Sequence, residues 1–410
     1  MKHVLFLNLR PIVAEGLAAL MAAKNADYNV VLMSNKCPKY ANSYIKSYIK
    51  IDNQDEEACI TQAQIIAQQY DIKGVFSWND TDIILAAKIA KKLHLNHVLP
   101  DVALLAKNKF MCREMLSKKA PHLVPKFAKI STSSCIDEVV KGFKYPLIVK
   151  PISASGSMGI FTVNNIIELQ DALKQLEHKK NNEAKGVFDK FGEYYIVEEF
   201  LRGREISVEA FVSNTTYIAG ITDKTTTNPW YIESRHIFPS NLPQYMQNKI
   251  INEVKFIVNE LGINHSAIHV EMKIDEEECK IVEIATRTGG DLISSHLVPM
   301  ALNIPWLEII IKSTINGKID DSFIHSKEQN VVGIQFHIAK QNGVFNGLSA
   351  NIPNNEATEL MEVGATVVLP PTSFNQCRVG YSLAKDNNYH AVEENLNQTI
   401  NFTNIDIRAR

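Results

Sequence analysis

Two glutamates beyond the middle of the chain, Glu271 and Glu283, are spaced so that they could share a cation. In residues 269–274 apolar and polar side chains alternate, which predicts a strand, and residues 280–285 predict a returning strand. A reversal centred on Glu277 would place the two glutamates directly opposite each other. Facing carboxylates are destabilising unless a proton or a cation lies between them. Oxygen ligands on a sheet suit Mg²⁺, and substrate phosphates then complete the coordination shell of the metal. A register shifted by one residue, or acids that face solvent, is the alternative.

A lysine and a loop of small residues lie upstream of these acids. Lys150 ends an apolar strand predicted for residues 145–150, which is unusual for a buried position. Residues 153–159 follow as a Gly/Ser-rich loop whose backbone N–H groups could approach phosphate oxygens closely. The loop lacks the GxxxxGK[ST] pattern of a Walker A motif, and a plain hairpin connection is the alternative. The preceding lysine favours the phosphate role.

Residues 197–208 predict two strands that flank a short linker with a turn at Gly203. Glu198 and Glu205 would lie at either side of this linker. Linkers between lobes commonly bind planar bases, because backbone groups read the edge of the ring while apolar side chains cover its faces. A hairpin with two solvated acids is the alternative.

Other candidate sites have weaker support. His265 and His269 stand four residues apart in a predicted strand, where that spacing separates them by about 13 Å, so we expect no zinc pair. Asp291 and His296 follow Gly289-Gly290 and are interpreted as part of a helix start, with orientation of an active-site turn as the alternative. Arg378, in a C-terminal strand, could reach a substrate site. The sequence has neither a Ser-His-Asp nor a Cys-His pattern, and its six cysteines are interpreted as small buried residues.

Composition limits the class of protein. The 410 residues predict two or three domains, and 43 basic against 45 acidic residues give a net charge of −2, which excludes the strong overall basicity of a duplex-coating protein. Apolar runs too short to span a bilayer predict no transmembrane helix. Six cysteines without a CxxC pair, and an N-terminus without a signal-peptide pattern, lead us to expect a cytoplasmic protein.

The predicted elements give an α/β fold class. Strand-like and helix-like segments alternate over the first hundred residues, which predicts a parallel sheet with helices on its faces. This lobe is interpreted as a scaffold, since no GxGxxG follows its first strand; Asn79 and Asp80 are interpreted as a helix cap. Residues 103–119 predict one helix, later segments predict a largely antiparallel second sheet, and the last hundred residues predict a mixed α/β lobe.

Taken in order, these segments resemble the ATP-grasp superfamily of carboxylate–amine ligases. The series that carries the resemblance is Asn108-Lys109, Leu147-Ile148-Val149-Lys150-Pro151, the Gly/Ser loop, Glu198-Glu199-Phe200-Leu201-x-Gly-x-Glu205, Glu271 and Glu283. The resemblance covers most of the chain and implies the ATP-grasp fold. It implies an N-terminal α/β domain at 1–100, an ATP-grasp domain at 101–310 with a small lid lobe at about 126–200, and a C-terminal α/β lobe at 311–410.

The resemblance also implies roles for individual residues. Glu271 and Glu283 would bind Mg²⁺, with Mn²⁺ as an alternative, and Lys224 would be a catalytic lysine that reaches the γ-phosphate. Lys109 and Lys150 would contact the phosphates and the adenine side of ATP, and Glu205 would bind the ribose. Glu198 would bind adenine together with the backbone of Glu199, Phe200 and Leu201. The loop residues that would cover the phosphates are Ser155, Gly156, Ser157, Met158 and Gly159.

One departure from the family pattern points to a branch. Many ATP-grasp ligases have Glu-x-Asn after the second metal-binding strand, with the asparagine as a ligand, but here Ala285 follows Glu283 and cannot coordinate a metal. The Glu-x-x-x-Arg pattern that ends at Arg287 instead resembles the bacilysin-type L-amino-acid ligases. In that branch the arginine faces the reacting carboxylate and stabilises the tetrahedral intermediate.

The same branch implies the amino-acid pocket. Glu233 would pair with the ammonium group of the first amino acid, and His236 would lie close to its side chain or to the incoming substrate. A loop histidine that caps local backbone is the alternative for His236.

The resemblance implies an ADP-forming ligase that makes an amide, or dipeptide, through an acyl phosphate. Its partners would be ATP and amino acids, with no nucleic acid and no membrane, and a homodimer stays open. The alternatives are another ATP-grasp carboxylate chemistry, of the biotin-carboxylase or purine-pathway kind, and a non-catalytic nucleotide-binding regulator. The sequence leaves open which amino acids are joined and what completes the metal shell beside Ala285.

Overall fold

The computed structural model describes residues 1–182, 194–320, 323, 330–350, 357–373 and 376–409. The chain begins with a four-stranded parallel sheet, in the order β3-β2-β1-β4, with helices packed on it. Its elements are β1 (Lys2–Leu7), α1 (Val13–Asn25), β2 (Asn29–Ser34), β3 (Ile45–Lys50), α2 (Glu56–Gln69), β4 (Asp71–Ser77) and α3 (Ile83–Lys92). The central strands form continuous apolar runs because both of their faces are buried. The predicted α/β fold class is confirmed.

The carboxyl ends of β1 and β4 lie side by side, with Leu7 paired to Ser77. Residues that follow these two strands therefore meet at one edge of the sheet, which is where open parallel sheets usually bind ligands. Arg10 and Asp80 lie at this edge.

The helix predicted for residues 103–119 is divided into α4 (Pro100–Lys107) and α5 (Lys109–Ser117). Asn108 separates them with extended backbone, and its side chain caps α5 by accepting a hydrogen bond from the Met111 amide at 3.0 Å. This break places Lys109 at the first position of α5.

A small antiparallel sheet, in the order β5-β8-β6-β7, covers one side of the molecule. Leu169, Leu173 and Leu176 on one of its helices pack with Val149 and Val197 of the sheet. The elements are β5 (Phe127–Ile130), α6 (Ile136–Val139), β6 (Leu147–Pro151), β7 (Phe161–Val163), α7 (Ile166–Asn182) and β8 (Tyr195–Glu199). We call this sheet with α6 and α7 the lid. Residues 183–193 of the lid range expected from the sequence lie outside the described residues.

The rest of the chain forms an eight-stranded antiparallel sheet, in the order β13-β12-β9-β10-β11-β14-β18-β16, and a three-stranded sheet, in the order β17-β15-β19. The elements are β9 (Arg204–Ser213), β10 (Thr215–Thr226), β11 (Glu233–Phe238), α8 (Gln244–Leu261), β12 (Ser266–Asp275), β13 (Glu278–Ala285), α9 (Val298–Leu302), α10 (Trp306–Asn316), β14 (Val331–Ile338), β15 (Gly343–Ala350), β16 (Ala357–Glu359), β17 (Thr366–Val367), β18 (Arg378–Asp386), α11 (Tyr389–Phe402) and β19 (Thr403–Arg408). The predicted antiparallel sheet is confirmed, and it continues into the last hundred residues because β11 pairs with β14. Among the described helices, none is both long and apolar enough to cross a membrane.

A buried histidine in β14 makes the stability of the fold sensitive to acid. Burial lowers the pKa of His337 to about 4, and its Nε2 lies 2.9 Å from Ser382 Oγ. The unfolded chain therefore binds a proton near pH 6.5 that the folded chain does not bind, so stability falls as the pH drops from about 6.5 toward 4. We expect this side chain to account for about 2 kcal/mol of lost unfolding free energy between pH 7 and pH 4.5.

Urea unfolding at the two pH values measures this contribution. His337→Gln should lose less stability on acidification than the unchanged chain, whereas His390→Gln, at an exposed helix position, should not differ from it. Equal acid sensitivity of both variants would contradict the assignment.

Candidate active site

A cleft of about 520 Å³ opens where the lid, the large sheet and the carboxyl edge of the parallel sheet meet. Its basic side chains are Arg10, Lys109, Lys150, Lys273, Arg287 and Arg378, and its acidic ones are Asp80, Glu198, Glu199, Glu205, Glu233, Glu271, Glu283 and Asp291. Most of the residues selected from the sequence therefore line one cleft.

Glu271 and Glu283 pair directly across strands β12 and β13, as predicted from the alternating pattern. The hairpin turn is centred between Glu276 and Glu277, half a position before the predicted centre at Glu277, since Asp275 pairs with Glu278 instead of Cys279. A bulge between Glu271 and Met272 compensates for this shift and restores the facing pair. The predicted register of the two acids is confirmed.

Both acids are held by cationic side chains. Glu271 Oε1 accepts hydrogen bonds from Lys224 Nζ at 2.6 Å and from His269 Nε2 at 3.1 Å, and Glu283 Oε2 lies 3.0 Å from Lys109 Nζ. Although burial acts to raise the pKa of Glu271, Lys224 and His269 hold it well below its usual value. The pair is an all-oxygen donor set beside two lysines, and this set fits Mg²⁺ bound together with phosphate oxygens. Ala285 lines the cleft but offers only a methyl group.

Lys224 lies behind the wall of the cleft and does not line it, in contrast to the direct contact expected from the sequence. Its side chain is fully buried and contacts Glu233, Glu271 at 2.6 Å and Glu205 at 3.6 Å. Burial acts to lower the pKa of Lys224, but the three carboxylates raise it well above its usual value. The lysine is therefore a permanent positive charge that holds three cleft acids together.

The phosphate side expected from the sequence lies under the lid. Lys109 Nζ donates to the carbonyl oxygen of Ala154 at 2.7 Å, which fixes the start of the Gly/Ser loop. Ser155, Gly156, Ser157 and Met158 line the cleft. Gly159 does not line the described cleft, because it packs against Leu176 and Pro151 at the base of the lid.

Glu198 has a different environment from the one expected. Its carboxylate lies 2.5 Å from Lys150 Nζ and 3.0 Å from Arg113 Nε, and its residue is 3% exposed. Burial lowers the pKa of Lys150. Burial also acts to raise the pKa of Glu198, but Lys150 and Arg113 outweigh this effect, so the pKa of Glu198 is lowered. Glu198 lines the cleft and positions Lys150, and its expected contact with adenine stays a prediction.

The linker that follows Glu198 lies along one side of the cleft. Glu199, Phe200 and Leu201 line it, and the Glu199 amide donates to the Lys126 carbonyl at 2.9 Å. Gly203 has a φ of +85°, and a Cβ at this position would lie 1.9 Å from the carbonyl oxygen of Ile274. The turn between β8 and β9 therefore requires glycine, and it directs Glu205 into the cleft.

Glu233 and His236 start β11, and only Glu233 lines the cleft. His236 is fully buried beneath it, with Nε2 3.7 Å from Glu233 Oε2 and 3.6 Å from Asp291 Oδ2. Arg378 binds both oxygens of Asp291, at 2.6 and 2.9 Å. Side chains of Glu233, His236 and Asp291 come close enough for a metal site, but Lys224 and Arg378 already neutralise their charges.

Asp291 lies just before the helical turn Ile293–Leu297, which agrees with the predicted helix start. Its φ of +53° and its paired contact with Arg378 turn it into the cleft wall. Arg378 was expected to reach a substrate site, and it does line the cleft.

Arg287 lines the cleft and binds Asp80, a residue that the sequence analysis assigned to a helix cap. Asn79 stands at the N-cap of the turn Asp80–Asp82, as predicted, but its side chain makes no capping hydrogen bond. Instead, Asn79 Nδ2 donates to the Leu9 carbonyl at 3.2 Å and Asp80 pairs with Arg287. Burial acts to lower the pKa of Arg287, but Asp80 raises it, so the arginine stays charged. The position of Asp80 just after a parallel strand was the signal that could have identified it.

A second missed group supports Glu271 from behind. Glu209 is 1% exposed and accepts from His269 Nδ1 at 2.5 Å, from the Gly289 amide at 3.1 Å and from Ser294 Oγ at 3.1 Å. Burial acts to lower the pKa of His269, but Glu209 raises it to about 9. The alternation in β12, which puts His269 and Glu271 on one face, was the available signal.

Comparisons with known proteins agree with this architecture. Residues 143–296 match the ATP-grasp domain family. The chain is 24% identical over 253 residues to alanine–anticapsin ligase of Bacillus subtilis (strain 168), covering 58% of this chain and 53% of that protein. It is 21% identical over 310 residues to carnosine synthase 1 of Mus musculus, covering 72% of this chain and 37% of that protein. The matched region spans 53% to 62% of the lengths of the alanine–anticapsin ligases.

Solved structures resemble the whole chain. The L-amino acid ligase from Bacillus licheniformis superposes with a TM-score of 0.83 at 17% identity, covering 100% of this chain and 99% of that one. Phosphoribosylglycinamide synthetase from Anaerococcus prevotii superposes with a TM-score of 0.73 at 20% identity, covering 99% and 100%. These comparisons agree with the resemblance inferred from the ordered motifs: residues 143–296 match the ATP-grasp domain family, and the whole chain has the fold of the L-amino acid ligase.

Proposed function

We propose that this protein is an ATP-dependent ligase that joins the carboxyl group of one amino-acid-like substrate to the amine of another and releases ADP and phosphate. The observation that supports this most is the facing pair Glu271 and Glu283, which shares one cleft with Lys109, Lys150 and Arg287. The relatives named alanine–anticapsin ligase and carnosine synthase also favour amide formation.

The first step transfers a phosphoryl group. A substrate carboxylate oxygen attacks the γ-phosphorus of ATP, the bond to the ADP oxygen breaks, and an acyl phosphate forms. Lys109 and Lys150 hold the phosphates, and Glu205 receives the ribose hydroxyls. Mg²⁺ or Mn²⁺ bound by Glu271 and Glu283 would supply neutralisation of the charge on the phosphate oxygens. Lys224 keeps Glu271 ionised and in place, and Lys109 holds Glu283.

The second step forms the amide. The amine nitrogen attacks the carbonyl carbon of the acyl phosphate and loses a proton, and the bond from that carbon to the phosphate oxygen breaks. Arg287 stabilises the negative charge that develops on the carbonyl oxygen. Glu233 holds the ammonium group of the first amino acid, and His236 supports Glu233 and Asp291 from below.

Closure of the lid would keep water from the acyl phosphate. The Gly/Ser loop is held to the segment before β11, since Ser157 Oγ donates to the Tyr231 carbonyl at 2.6 Å and the Tyr231 hydroxyl lies 2.5 Å from Thr162 Oγ1. These two contacts connect the loop over the phosphates to the segment that carries Glu233.

Breaking this connection should weaken closure. Ser157→Ala and Tyr231→Phe each remove one hydrogen bond, and we expect each to raise KM for ATP about 5-fold, with a larger share of ATP hydrolysed without amide formation. Steady-state ADP release compared with amide yield measures both effects. Tyr245→Phe, at an exposed position, is the control. An unchanged KM and yield in the double variant would contradict a role in closure.

Two related chemistries compete with this proposal. Phosphoribosylglycinamide synthetase and biotin carboxylase superpose with TM-scores of 0.73 and 0.71. A non-catalytic nucleotide-binding protein is the third alternative, but ionised Glu271 and the lysines beside both metal-binding acids favour a working site.

The test is ADP release by the full chain with MgATP against pairs of the common L-amino acids, bicarbonate and purine-pathway amines, with products identified by mass spectrometry. Dipeptide formation supports the proposal. ADP release only with bicarbonate or a purine intermediate would replace it, and tight ATP binding without substrate-stimulated turnover would favour the regulator.

The proposed lobes keep the ranges expected from the sequence, at 1–100, 101–310 with the lid at about 126–200, and 311–410. A cytoplasmic location and a homodimer stay predictions. Size-exclusion chromatography with light scattering would determine the oligomeric state.

A further inference from the structure

Two guanidinium groups converge at the N-terminal side of the cleft. Arg10 Nη2 and Arg287 Nη1 donate to the same carbonyl oxygen, that of Thr288, at 2.7 and 2.6 Å. Both side chains line the cleft. Two like charges held this close repel each other, and an anion between them would relieve the repulsion.

The charge of Arg10 is less well compensated than that of Arg287. Arg287 contacts Asp80 directly, whereas the nearest carboxylate to Arg10 is that of Glu15, with a separation of 3.7 Å and no hydrogen bond. Burial raises the pKa of Glu15, and its Oε1 accepts from the Leu292 amide at 3.3 Å. Arg10 therefore keeps capacity for a further anionic partner.

The free edge of Arg10 faces a glycine. Within the described residues, no hydrogen bond is made by Arg10 Nη1, and a Cβ built on Gly290 would lie 2.5 Å from this atom. Any larger residue at position 290 would displace the guanidinium. The missing side chain of Gly290 thus leaves space for the Arg10 guanidinium beside the backbone of the cleft wall.

Charges near the two arginines place Arg10 away from the phosphate side. The charges that act on Arg10 most strongly are those of Glu15, Arg287, Asp80 and Asp291. Those that act on Arg287 include both Glu283 and Glu271. Glu271 and Glu283 thus act on Arg287, and neither is among the charges that act most strongly on Arg10.

We propose that Arg10 binds the α-carboxylate of the substrate that supplies the amine. This inference rests on the proposed function and adds to it the chemical class of the second substrate, an α-amino acid rather than a simple amine. An amino acid whose nitrogen attacks beside Arg287 brings its own carboxylate into the same part of the cleft, where Nη1 of Arg10 keeps its N–H donors for a charged hydrogen bond to that carboxylate.

The test compares amine substrates with and without that carboxylate. The full chain is assayed for ligation with MgATP, a saturating L-amino acid as the carboxyl donor, and either the free L-amino acid or its α-carboxamide as the amine. The unchanged chain should prefer the free acid. Arg10→Gln should raise KM for the free acid about 20-fold or more, leave KM for the carboxamide and for ATP within about 2-fold, and thereby remove the preference.

Two further variants make the result specific. Gly290→Ala retains Arg10 but crowds its Nη1, and it should weaken the same preference in the same direction. Arg408→Gln, at an exposed position in β19, should change nothing. Melting temperatures show whether each variant folds.

The outcomes separate this inference from the proposed function. Absence of ligation by the unchanged chain with every amino-acid pair overturns both. If the unchanged chain ligates amino acids but Arg10→Gln reduces ligation of the free acid and of the carboxamide equally, or reduces neither, the carboxylate site alone is overturned. A raised KM for ATP with unchanged amine selectivity would assign Arg10 to phosphate and overturns the inference as well.

Discussion

Replacing Glu283 by glutamine is expected to reduce amino-acid-dependent ADP release to background, a loss of about 1,000-fold or more. Glutamine retains the size of the side chain but removes the charge that Mg²⁺ and Lys109 both require. Loss of several kcal/mol of charge stabilisation in the transition state accounts for a change of this size. Glu283→Ala should have the same effect.

Binding measurements separate loss of metal from loss of fold. Titration of Mn²⁺ into the chain with ATP, followed by electron paramagnetic resonance, should show weaker binding in Glu283→Gln, while its melting temperature stays close to that of the unchanged chain. Glu278→Gln, on the same strand but exposed, is the matched control and should retain activity. Full turnover by Glu283→Gln would refute the metal assignment.

Replacing Arg287 by alanine should cost about 3 kcal/mol or more in transition-state stabilisation, which corresponds to at least about 100-fold in kcat/KM. The expected loss falls on kcat, with KM little changed, because the charge on the carbonyl oxygen develops only in the transition state. Rapid-quench measurement of acyl phosphate and amide would show whether the second step is the one that slows.

Arg287→Ala also leaves Asp80 without its closest cation, so its fold must be checked separately. Arg287→Lys keeps a charge beside Asp80 but loses the forked donor geometry, and it should fold with a large loss of activity. The variant pair Arg287→Ala with Asp80→Asn removes the buried charge and should recover stability without activity. An unchanged kcat/KM in Arg287→Lys and Arg287→Ala would remove Arg287 from the site.

Features with a local period could be predicted from the sequence. Alternation with a period of two identified β12 and β13, and the short hairpin between them allowed Glu271 to be paired with Glu283. The strand–helix alternation at the start of the chain predicted the parallel sheet. The strands β11, β15 and β19 were missed, although Ile405 and Ile407 alternate with polar residues in β19.

Residue types, their order and their local spacing were therefore enough to group Lys109, Lys150, the Gly/Ser loop and the facing acids Glu271 and Glu283, all of which contribute to one cleft. Tertiary structure alone decided which groups face the cleft and which support it from behind. Asp80 meets Arg287 across 207 positions of sequence, and Glu209 meets His269 across 60. Such contacts depend on how the sheets pack, and no period in the sequence encodes the distance between residues on separate elements. For the same reason the burial of Lys224 and His236, and the meeting of Arg10 with Arg287, became visible only in the folded chain.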